Sequence, residues 1–519
     1  MYKRRTFLKT ASAGFLWPAL RAASQGKEKK RPNILFLFSD QHRADVLGCE
    51  GNRIVQTPAL DGLAARGTRF SRAYCQDAVC VASRTSLMCG LYSRTTGALQ
   101  NDEGALLPHD GKMVPLQKLL QANGYFTGCF GKRHLPVPMS DGWNHSATTI
   151  SPAQDPSDEN YYDWIKARGQ WAEHELDWKH GEEGAFAADL MCRISDVKDE
   201  NRTPAYVVEK TVEFLKKSKE NGSPFFCWSS FIFPHQPYVP SPKWAALYPP
   251  EKMPLPANWN EPVENLPPGL QNWRLNEKPP WNCGTAAKHP ELYQRYIAYY
   301  YALMSEVDYS IGLILKELEA LGMADDTIIV YSSDHGEFTA AHGMVEKCAR
   351  FHNVYEDTLR VPLIISCPAK FRQGQVCEGL VELTDFYPTI LDAADIRMPA
   401  GTLPLAGKSL VPTLAGGATV NRQYAISENW SQISIISDRW KFAKWIDPSE
   451  KEANFDFRGK FPDMLFDRLT DPLEVNNLIG KNLPVERALR SALEQWEAQT
   501  STYGRDAVLV NWQNRRKKK

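Results

Sequence analysis

Residues 80–90 join a thiol to a basic side chain at a spacing that suits anion chemistry. They read Cys-Val-Ala-Ser-Arg-Thr-Ser-Leu-Met-Cys-Gly. Residues 82–92 mix small and apolar side chains without proline, which predicts a helix that begins near Cys80. Free backbone N–H groups gather at a helix start, so an anion held there would meet those amides and Arg84. The alternative is an inert buried thiol, because free cysteine is among the most buried residue types.

Potential metal ligands follow two segments elsewhere in the chain. Residues 33–39 and 327–333 are short continuous apolar runs, as in parallel strands buried on both faces. The residues directly after them are Asp40, Gln41, Asp334 and His335. One such junction would be an ordinary turn. Two of them predict a cation site at the carboxyl edge of a single sheet, where ligands bind in open α/β folds.

Basic side chains and imidazoles follow two more predicted strands. Lys132 and His134 come after the strand predicted for residues 125–130, and they share one side of an extended chain. His235 lies in Pro-His-Gln-Pro-Tyr, after the apolar run of residues 224–233. Imidazoles exchange protons near neutral pH, so both histidines are candidate acids or bases.

The segment at Cys80 resembles the signature of the type I (formylglycine-dependent) sulfatases of the alkaline phosphatase superfamily, Cys/Ser-x-Pro/Ala-x-Arg-x-x-x-x-Thr-Gly. Further family motifs match in order: Gly-Lys-x-His-Leu, Pro-His-x-Pro-Tyr, His-Gly-x-x-x-Lys, Arg-Val-Pro and Asp-Pro-x-Glu-x-x-Asn-Leu. The resemblance covers about residues 31–500. The departures from the family pattern are Gln41 for Asp, Cys89 for Thr, Arg133 for Trp, Pro136 for Gly and His335 for Asn.

The resemblance implies roles for individual residues. Cys80 is oxidised to formylglycine, whose hydrate offers one hydroxyl for attack on sulfur and a second for release. The implied catalytic residues are Cys80, Arg84, Lys132, His134, His235 and Lys347. The implied ligands of one divalent cation, Ca²⁺, are Asp40, Gln41, Asp334 and His335.

Within that set, Arg84 can fork onto two sulfate oxygens, and Lys132 and Lys347 add point charges. The counterpart of His235 assists the leaving group, and that of His134 assists the elimination. His342 is a candidate that either contacts substrate or braces its loop.

These residues predict an enzyme, a sulfuric ester hydrolase. Residues 140–203 and 240–290 are rich in aromatic side chains and favour a sulfated small molecule or oligosaccharide, because Trp and Tyr faces stack on sugar rings. One alternative is a phosphonate monoester or phosphodiester hydrolase of the same superfamily, which shares the metal and the fold. Another is a non-catalytic binder of sulfated glycans, which would have lost the nucleophile or the histidines; neither is lost.

The composition limits the class of partner. Lys+Arg and Asp+Glu both total 61 in 519 residues, so nothing global indicates nucleic acid, and any anion site must be local. The 43% hydrophobic and 24% charged residues are typical of a soluble globular protein. Eleven cysteines are an odd number, too sparse for a disulfide scaffold.

The organisation follows from the same patterns. We expect an α/β fold in which helices flank a large, mixed, mostly parallel sheet, with a smaller C-terminal antiparallel sheet plus helix. Residues 1–25 are predicted to be a twin-arginine signal without a membrane anchor, residues 31–420 the catalytic domain, and residues 421–519 an α+β subdomain. The predicted location is periplasmic or secreted, and a formylglycine-maturing enzyme is the predicted partner. Residues 140–203 show no clean period and are predicted to be insertions above the sheet.

Overall fold

The computed structural model describes residues 31–101, 107–108, 110–136, 139–182, 189–278, 282–347, 354–417, 420, 422–429, 432–446, 462–481 and 483–507. The signal predicted for residues 1–25 lies outside them. Among the described helices, none is long and apolar enough to span a bilayer.

The strands of the described residues are β1 (Asn33–Asp40), β2 (Thr68–Phe70), β3 (Ala73–Tyr74), β4 (Phe126–Gly131), β5 (His145–Thr148), β6 (Glu159–Asn160), β7 (Phe225–Pro234), β8 (Thr327–Ser333), β9 (Arg360–Val361), β10 (Leu363–Ser366), β11 (Gln375–Cys377), β12 (Val381–Glu382), β13 (Ala425–Glu428), β14 (Gln432–Ile436), β15 (Trp440–Trp445) and β16 (Met464–Asp467).

The α-helices of the same residues are α1 (Pro58–Ala65), α2 (Cys80–Cys89), α3 (Ser93–Thr96), α4 (Leu116–Ala122), α5 (Tyr161–Ala167), α6 (Trp171–Glu182), α7 (Thr203–Asn221), α8 (Pro242–Ala245), α9 (Pro268–Arg274), α10 (Cys283–Lys288), α11 (Pro290–Ala320), α12 (Glu356–Leu359), α13 (Phe386–Ala394), α14 (Val411–Leu414) and α15 (Pro484–Gln499).

The main sheet has nine strands in the order β11-β2-β10-β8-β1-β7-β4-β5-β6. Strand β1 lies at its centre and pairs in parallel with β7 and β8, while β10 runs antiparallel to β8 and β2. Strand β4 pairs in parallel with β7. The carboxyl ends of β1, β4, β7 and β8 therefore meet at one edge of the sheet.

Alternate side chains of β1 enter two hydrophobic cores, one on each face of the sheet. Leu35 and Leu37 belong to the core that holds α7 and α11. Ile34, Phe36 and Phe38 belong to the core that holds α2 and α13. Because both faces are covered, β1 needs apolar side chains at every position, as the continuous run in the sequence indicated.

A second, four-stranded antiparallel sheet, β13-β14-β15-β16, follows near the C-terminus. Helix α15 packs on it through Leu489 and Leu493. The mostly parallel sheet flanked by helices and the smaller antiparallel sheet with its helix confirm the predicted fold class. The described residues from Pro32 onward form one compact unit, and the division at residue 420 stays a prediction.

The structure corrects the expectation for residues 140–203. Strands β5 and β6 belong to the main sheet, where β5 pairs in parallel with β4 and with β6. Strands of four and two residues are too short for a periodic pattern, which is why the sequence did not reveal them.

Candidate active site

The polar residues after four strands converge at the carboxyl edge of the main sheet. Asp40 ends β1, Asp334 follows β8, Lys132 follows β4, and His235 follows β7. The β1–β7 register shifts between Ser39 and Asp40, at the last residue of β1. The expected assembly of a site from one sheet edge is therefore what the chain forms.

Cys80 is the first residue of α2 and lies among these side chains. Its Sγ is 3.3 Å from His335 Nε2, 3.7 Å from Asp40 Oδ1 and 3.8 Å from Lys132 Nζ. The residue is 1% exposed. Burial and Asp40 raise its pKa, but Lys132, Lys347 and His335 outweigh them and lower the pKa of Cys80 to about 5. Residue 80 thus has thiolate character, unlike an inert buried cysteine.

Four side chains could hold a metal ion. Ligand atoms of Asp40, Cys80, Asp334 and His335 all lie within 4.8 Å of one another. His335 Nδ1 donates to the carbonyl of Gly336 at 2.9 Å, so Nε2 is the ring nitrogen that faces the group. Two carboxylates and one imidazole fit a divalent cation.

Arg84 braces the two carboxylates. Its Nε donates to Asp334 Oδ2 at 2.7 Å, and its Nη2 donates to Asp40 Oδ2 at 3.0 Å. Its Nη1 donates to the carbonyl of Lys132 at 2.6 Å and to Ser230 Oγ at 3.0 Å. The guanidinium was predicted to bind two sulfate oxygens, whereas in the structure it binds the two carboxylates. Arg84 is 0% exposed, so it acts from behind the site.

Gln41 lies beside the group in a left-handed backbone conformation, with φ of 62°. Its Oε1 accepts a hydrogen bond from Lys347 Nζ at 3.0 Å. Its Nε2 donates to Gln236 Oε1 at 3.0 Å, to Tyr238 at 3.2 Å and to Glu337. These acceptors fix which end of the amide faces the site.

The contact between Gln41 and Glu337 was missed in the sequence. Glu337 is fully buried, and Tyr296 and Thr339 also donate to it. Burial raises the pKa of Glu337 to about 7. Its place in Asp-His-Gly-Glu directly after β8 was the available signal. The pairing with Gln41 could not be read from spacing.

Lys132 and His134 lie in the turn after β4. Lys132 Nζ forms an ion pair with Asp40 Oδ2 at 2.5 Å. Burial, followed by Lys132 and Arg84, lowers the pKa of His134 to about 3. Within the part of the chain that the structure describes, His134 Nδ1 is buried without a hydrogen-bond partner.

His235 faces the same group from β7. Its Nδ1 donates to the carbonyl of Gln236 at 2.8 Å, and its Nε2 is 4.0 Å from Asp40 Oδ1. Its side chain keeps 16% of its surface exposed. Burial and Lys132 lower the pKa of His235 to about 4. A neutral imidazole whose Nδ1–H is bound to a carbonyl can accept a proton at Nε2, and it can deliver a proton from Nε2 once it has been protonated there.

His342 has other partners. Its Nδ1 lies 2.5 Å from Glu261 Oε1, its Nε2 lies 3.5 Å from Asp357 Oδ2, and its ring packs on Tyr355. These contacts favour the interpretation that His342 braces its loop over the alternative that it contacts substrate. Lys347, by contrast, belongs to the site through Gln41 and Glu346.

Comparisons with known proteins identify the family of the chain. A family model described as Sulfatase matches residues 32–396, and one described as N-sulphoglucosamine sulphohydrolase, C-terminal, matches residues 341–499.

Two curated relatives are similar over nearly their full length. An arylsulfatase of Clostridium perfringens is 27% identical, and the similar region covers 88% of this chain and 92% of that relative. An N-acetylglucosamine-6-O-sulfatase of Bacteroides thetaiotaomicron is 27% identical and covers 89% and 85%. Among solved structures, a phosphonate monoester hydrolase of Agrobacterium radiobacter superposes with a TM-score of 0.74 at 23% identity, and covers 90% and 96%.

Proposed function

The chain belongs to the sulfatase family, and we propose that it hydrolyses the sulfate ester of a sulfated carbohydrate with a formylglycine made from Cys80. The observation that carries the proposal is the setting of Cys80. Its thiol, with a pKa of about 5, lies between a metal-ligand group and the ammonium of Lys132. A stably buried structural cysteine would need none of these charges.

The modification supplies a nucleophile that a thiol lacks. A hydrated aldehyde on residue 80 offers two geminal hydroxyls, one to attack sulfur and one to release the sulfate. A maturing enzyme is the implied partner, and it would act before folding is complete, because Cys80 is 1% exposed in the folded chain.

The proposed metal is one Ca²⁺ held by Asp40, Gln41, Asp334 and His335. Oxygen ligands dominate this set, as hard cations prefer. When bound, the cation would supply positive charge to the sulfate oxygens. The chain's own residues do the rest: Arg84 orients the two carboxylates, and the amide network of Gln41 orients its oxygen.

The proposed substrate-facing groups are two lysines and two histidines. Lys132 and Lys347 place ammonium charge next to residue 80 and stabilise a sulfate anion. His235, partly exposed, protonates the leaving oxygen. His134 accepts the proton when the second hydroxyl of residue 80 collapses to release sulfate.

The carbohydrate assignment is supported by a relative's activity and by the aromatic content of residues 140–203 and 240–290. The Bacteroides relative is an N-acetylglucosamine-6-O-sulfatase. The second candidate is hydrolysis of a phosphonate monoester or phosphodiester, which the shared fold of the Agrobacterium enzyme favours. We further propose twin-arginine export to the periplasm or beyond, because residues 1–25 carry that signal pattern.

A substrate panel tests the proposal. The matured enzyme is assayed on sulfated mono- and oligosaccharides, 4-nitrophenyl sulfate, choline sulfate and a phosphodiester, with Cys80→Ala as the control. We expect the highest kcat/KM on a sulfated sugar. A preference of orders of magnitude for aryl or choline sulfate would refute the carbohydrate assignment. A preference for the phosphodiester would establish the second candidate.

A further inference from the structure

We propose that Asp155 and Arg133 form a positioning pair, which fixes the conformation of the turn that carries Lys132 and His134. Arg133 stands where the family pattern has Trp, and Asp155 comes from the segment between β5 and β6. The proposal rests on the proposed function for its effect on turnover, but its contacts are independent of that function.

The backbone of this turn needs outside support. Gly131 has φ of 100°, and a Cβ there would lie 1.9 Å from the carbonyl oxygen of Ser230, so only glycine fits. His134 has φ of 49°, which a non-glycine residue rarely adopts. A turn in this conformation persists only where its surroundings hold it.

The turn is held from two sides. On one side, the N–H of Lys132 donates to the Ser230 carbonyl at 2.9 Å, and Arg84 donates to the Lys132 carbonyl at 2.6 Å. On the other side, the N–H of Arg133 donates to Asp155 Oδ2 at 3.1 Å. Asp155 is therefore the acceptor that fixes the peptide between the two functional side chains.

The side chain of Arg133 locks Asp155 in place. Its Nη2 lies 2.5 Å from Asp155 Oδ1 and also donates to the carbonyl of Pro156. Thr148 donates its hydroxyl to Asp155 Oδ2 at 3.0 Å. Arg133 is 2% exposed and Asp155 is 1% exposed, so the two charges face each other away from water. One carboxylate oxygen accepts the backbone N–H of Arg133 and the Thr148 hydroxyl, and the other forms the ion pair with the guanidinium.

This arrangement separates two effects. The ion pair holds the segment between β5 and β6 against the turn, which is a stability effect. The bond from Asp155 to the backbone N–H of Arg133 sets where the Lys132 ammonium and the His134 imidazole point. A loss of that bond should lower kcat and leave KM nearly unchanged, because the turn would be displaced while the metal-side groups keep their contacts.

The test compares Asp155→Ala with Asp158→Ala. Asp158 is a matched control in the same segment: its Oδ2 accepts the backbone N–H of Ser146 at 2.8 Å and the Ser146 hydroxyl at 3.1 Å. On 4-nitrophenyl sulfate we expect Asp155→Ala to lower kcat about 100-fold, the scale of a displacement near 1 Å. KM should stay within about twofold of wild type, as should both constants of the control. An unchanged kcat with a lowered Tm would reduce the pair to a structural ion pair. A raised KM at constant kcat would contradict positioning.

A charge-swapped pair provides the rescue test. Arg133→Asp with Asp155→Arg restores the ion pair but leaves the N–H of residue 133 without its carboxylate acceptor. We expect the swap to recover Tm relative to Asp155→Ala without recovering kcat, and Asp155→Glu to recover part of kcat. Recovery of kcat by the swap would overturn the proposal.

Hydrogen exchange provides a readout without catalysis. In protein with unmodified Cys80, the amide of Arg133 should exchange at least about tenfold faster in Asp155→Ala than in wild type, because its acceptor is gone. Asp158→Ala should leave that amide unchanged. If the wild type turned over no sulfate ester, the proposed function would fail, but the exchange rates would still test whether the positioning pair holds the turn. Equal exchange rates in all three proteins would contradict it.

Discussion

The two sides of the site differ in how completely their polar groups are used. The carboxylate side, made of Asp40, Asp334 and Arg84, is 0% exposed, and all three nitrogens of its guanidinium donate within the protein. The histidine side, made of His134 and His235, keeps accessible surface or a buried nitrogen without a partner among the described residues. We infer that the carboxylate side provides fixed charge, whereas the histidine side keeps hydrogen-bonding groups available for substrate binding and proton transfer.

The largest effect should come from the carboxylate side. Asp334→Ala removes a ligand and a partner of Arg84, and we expect activity to fall by about 10³-fold or more, because a lost metal charge is worth several kcal/mol. Bound calcium, measured by elemental analysis, should fall below one per chain. The exposed Asp438→Ala is the control. Full turnover after this substitution and after chelation would remove the metal from the account.

A smaller loss is expected on the histidine side. His235→Ala should lower kcat by about 10²–10³-fold on a sugar sulfate, whose leaving oxygen needs a proton. The loss should be much smaller on 4-nitrophenyl sulfate, whose leaving group is stable as an anion. His289→Ala, at an exposed imidazole, should change neither rate. Equal losses on both substrates would show that His235 is not the proton donor.

Arg84→Met tests whether the carboxylate side is held by its guanidinium. In chelator-treated protein, Asp334 would lose its guanidinium partner and Asp40 would keep its ion pair with Lys132 but lose that with Arg84, so the free energy of unfolding should fall by about 3–5 kcal/mol. Denaturant unfolding measures this. Arg202→Met is the control, because it breaks a comparable buried ion pair with Glu306. It should lower the free energy of unfolding by a similar amount, while the folded enzyme keeps its activity. If Arg84→Met also kept activity, the bracing role would be wrong.

The smallest effect is on pH dependence. Burial lowers the pKa of His134 to about 3 and that of His235 to about 4. A lowered pKa keeps an imidazole neutral to lower pH, so both remain neutral above about pH 5 instead of gaining a proton near 6.5. On a sugar sulfate we expect kcat/KM to rise as pH falls from 7 toward about 5, because His235 must carry the proton that it donates and a group with a pKa of about 4 is protonated in a growing fraction there. A fall centred near pH 6.5 would contradict the buried setting of these histidines.

The positions of the strand ends could be predicted because continuous apolar runs mark strands buried on both faces. The sequence pattern alone therefore predicts Asp40, Asp334, Lys132 and His235 at one edge of the sheet. The use of Arg84 could not be predicted, because residue type does not say whether a guanidinium faces ligand or protein. Its two carboxylate partners lie at the ends of different strands, and only the folded sheet brings both within 3.0 Å of the guanidinium nitrogens.

The contacts of Asp155 and Glu337 were equally hidden. Asp155 lies in a segment whose strands are too short for a period, and Glu337 reaches Gln41 across the β1–β8 pairing. Both depend on the register between strands that are distant in the chain, which local pattern does not encode. The family resemblance predicted the residues at the centre of the site. The residues that position them could be identified only from the structure.

The most direct test of the central claim is the mass of the peptide that carries residue 80. In active enzyme produced together with a formylglycine-maturing enzyme, we expect that peptide to be lighter by about 18 Da, the change from a thiol to an aldehyde. Specific activity should rise in proportion to the converted fraction, and protein produced without maturation should be inactive. A fully active preparation in which Cys80 remains an unmodified thiol would contradict the account.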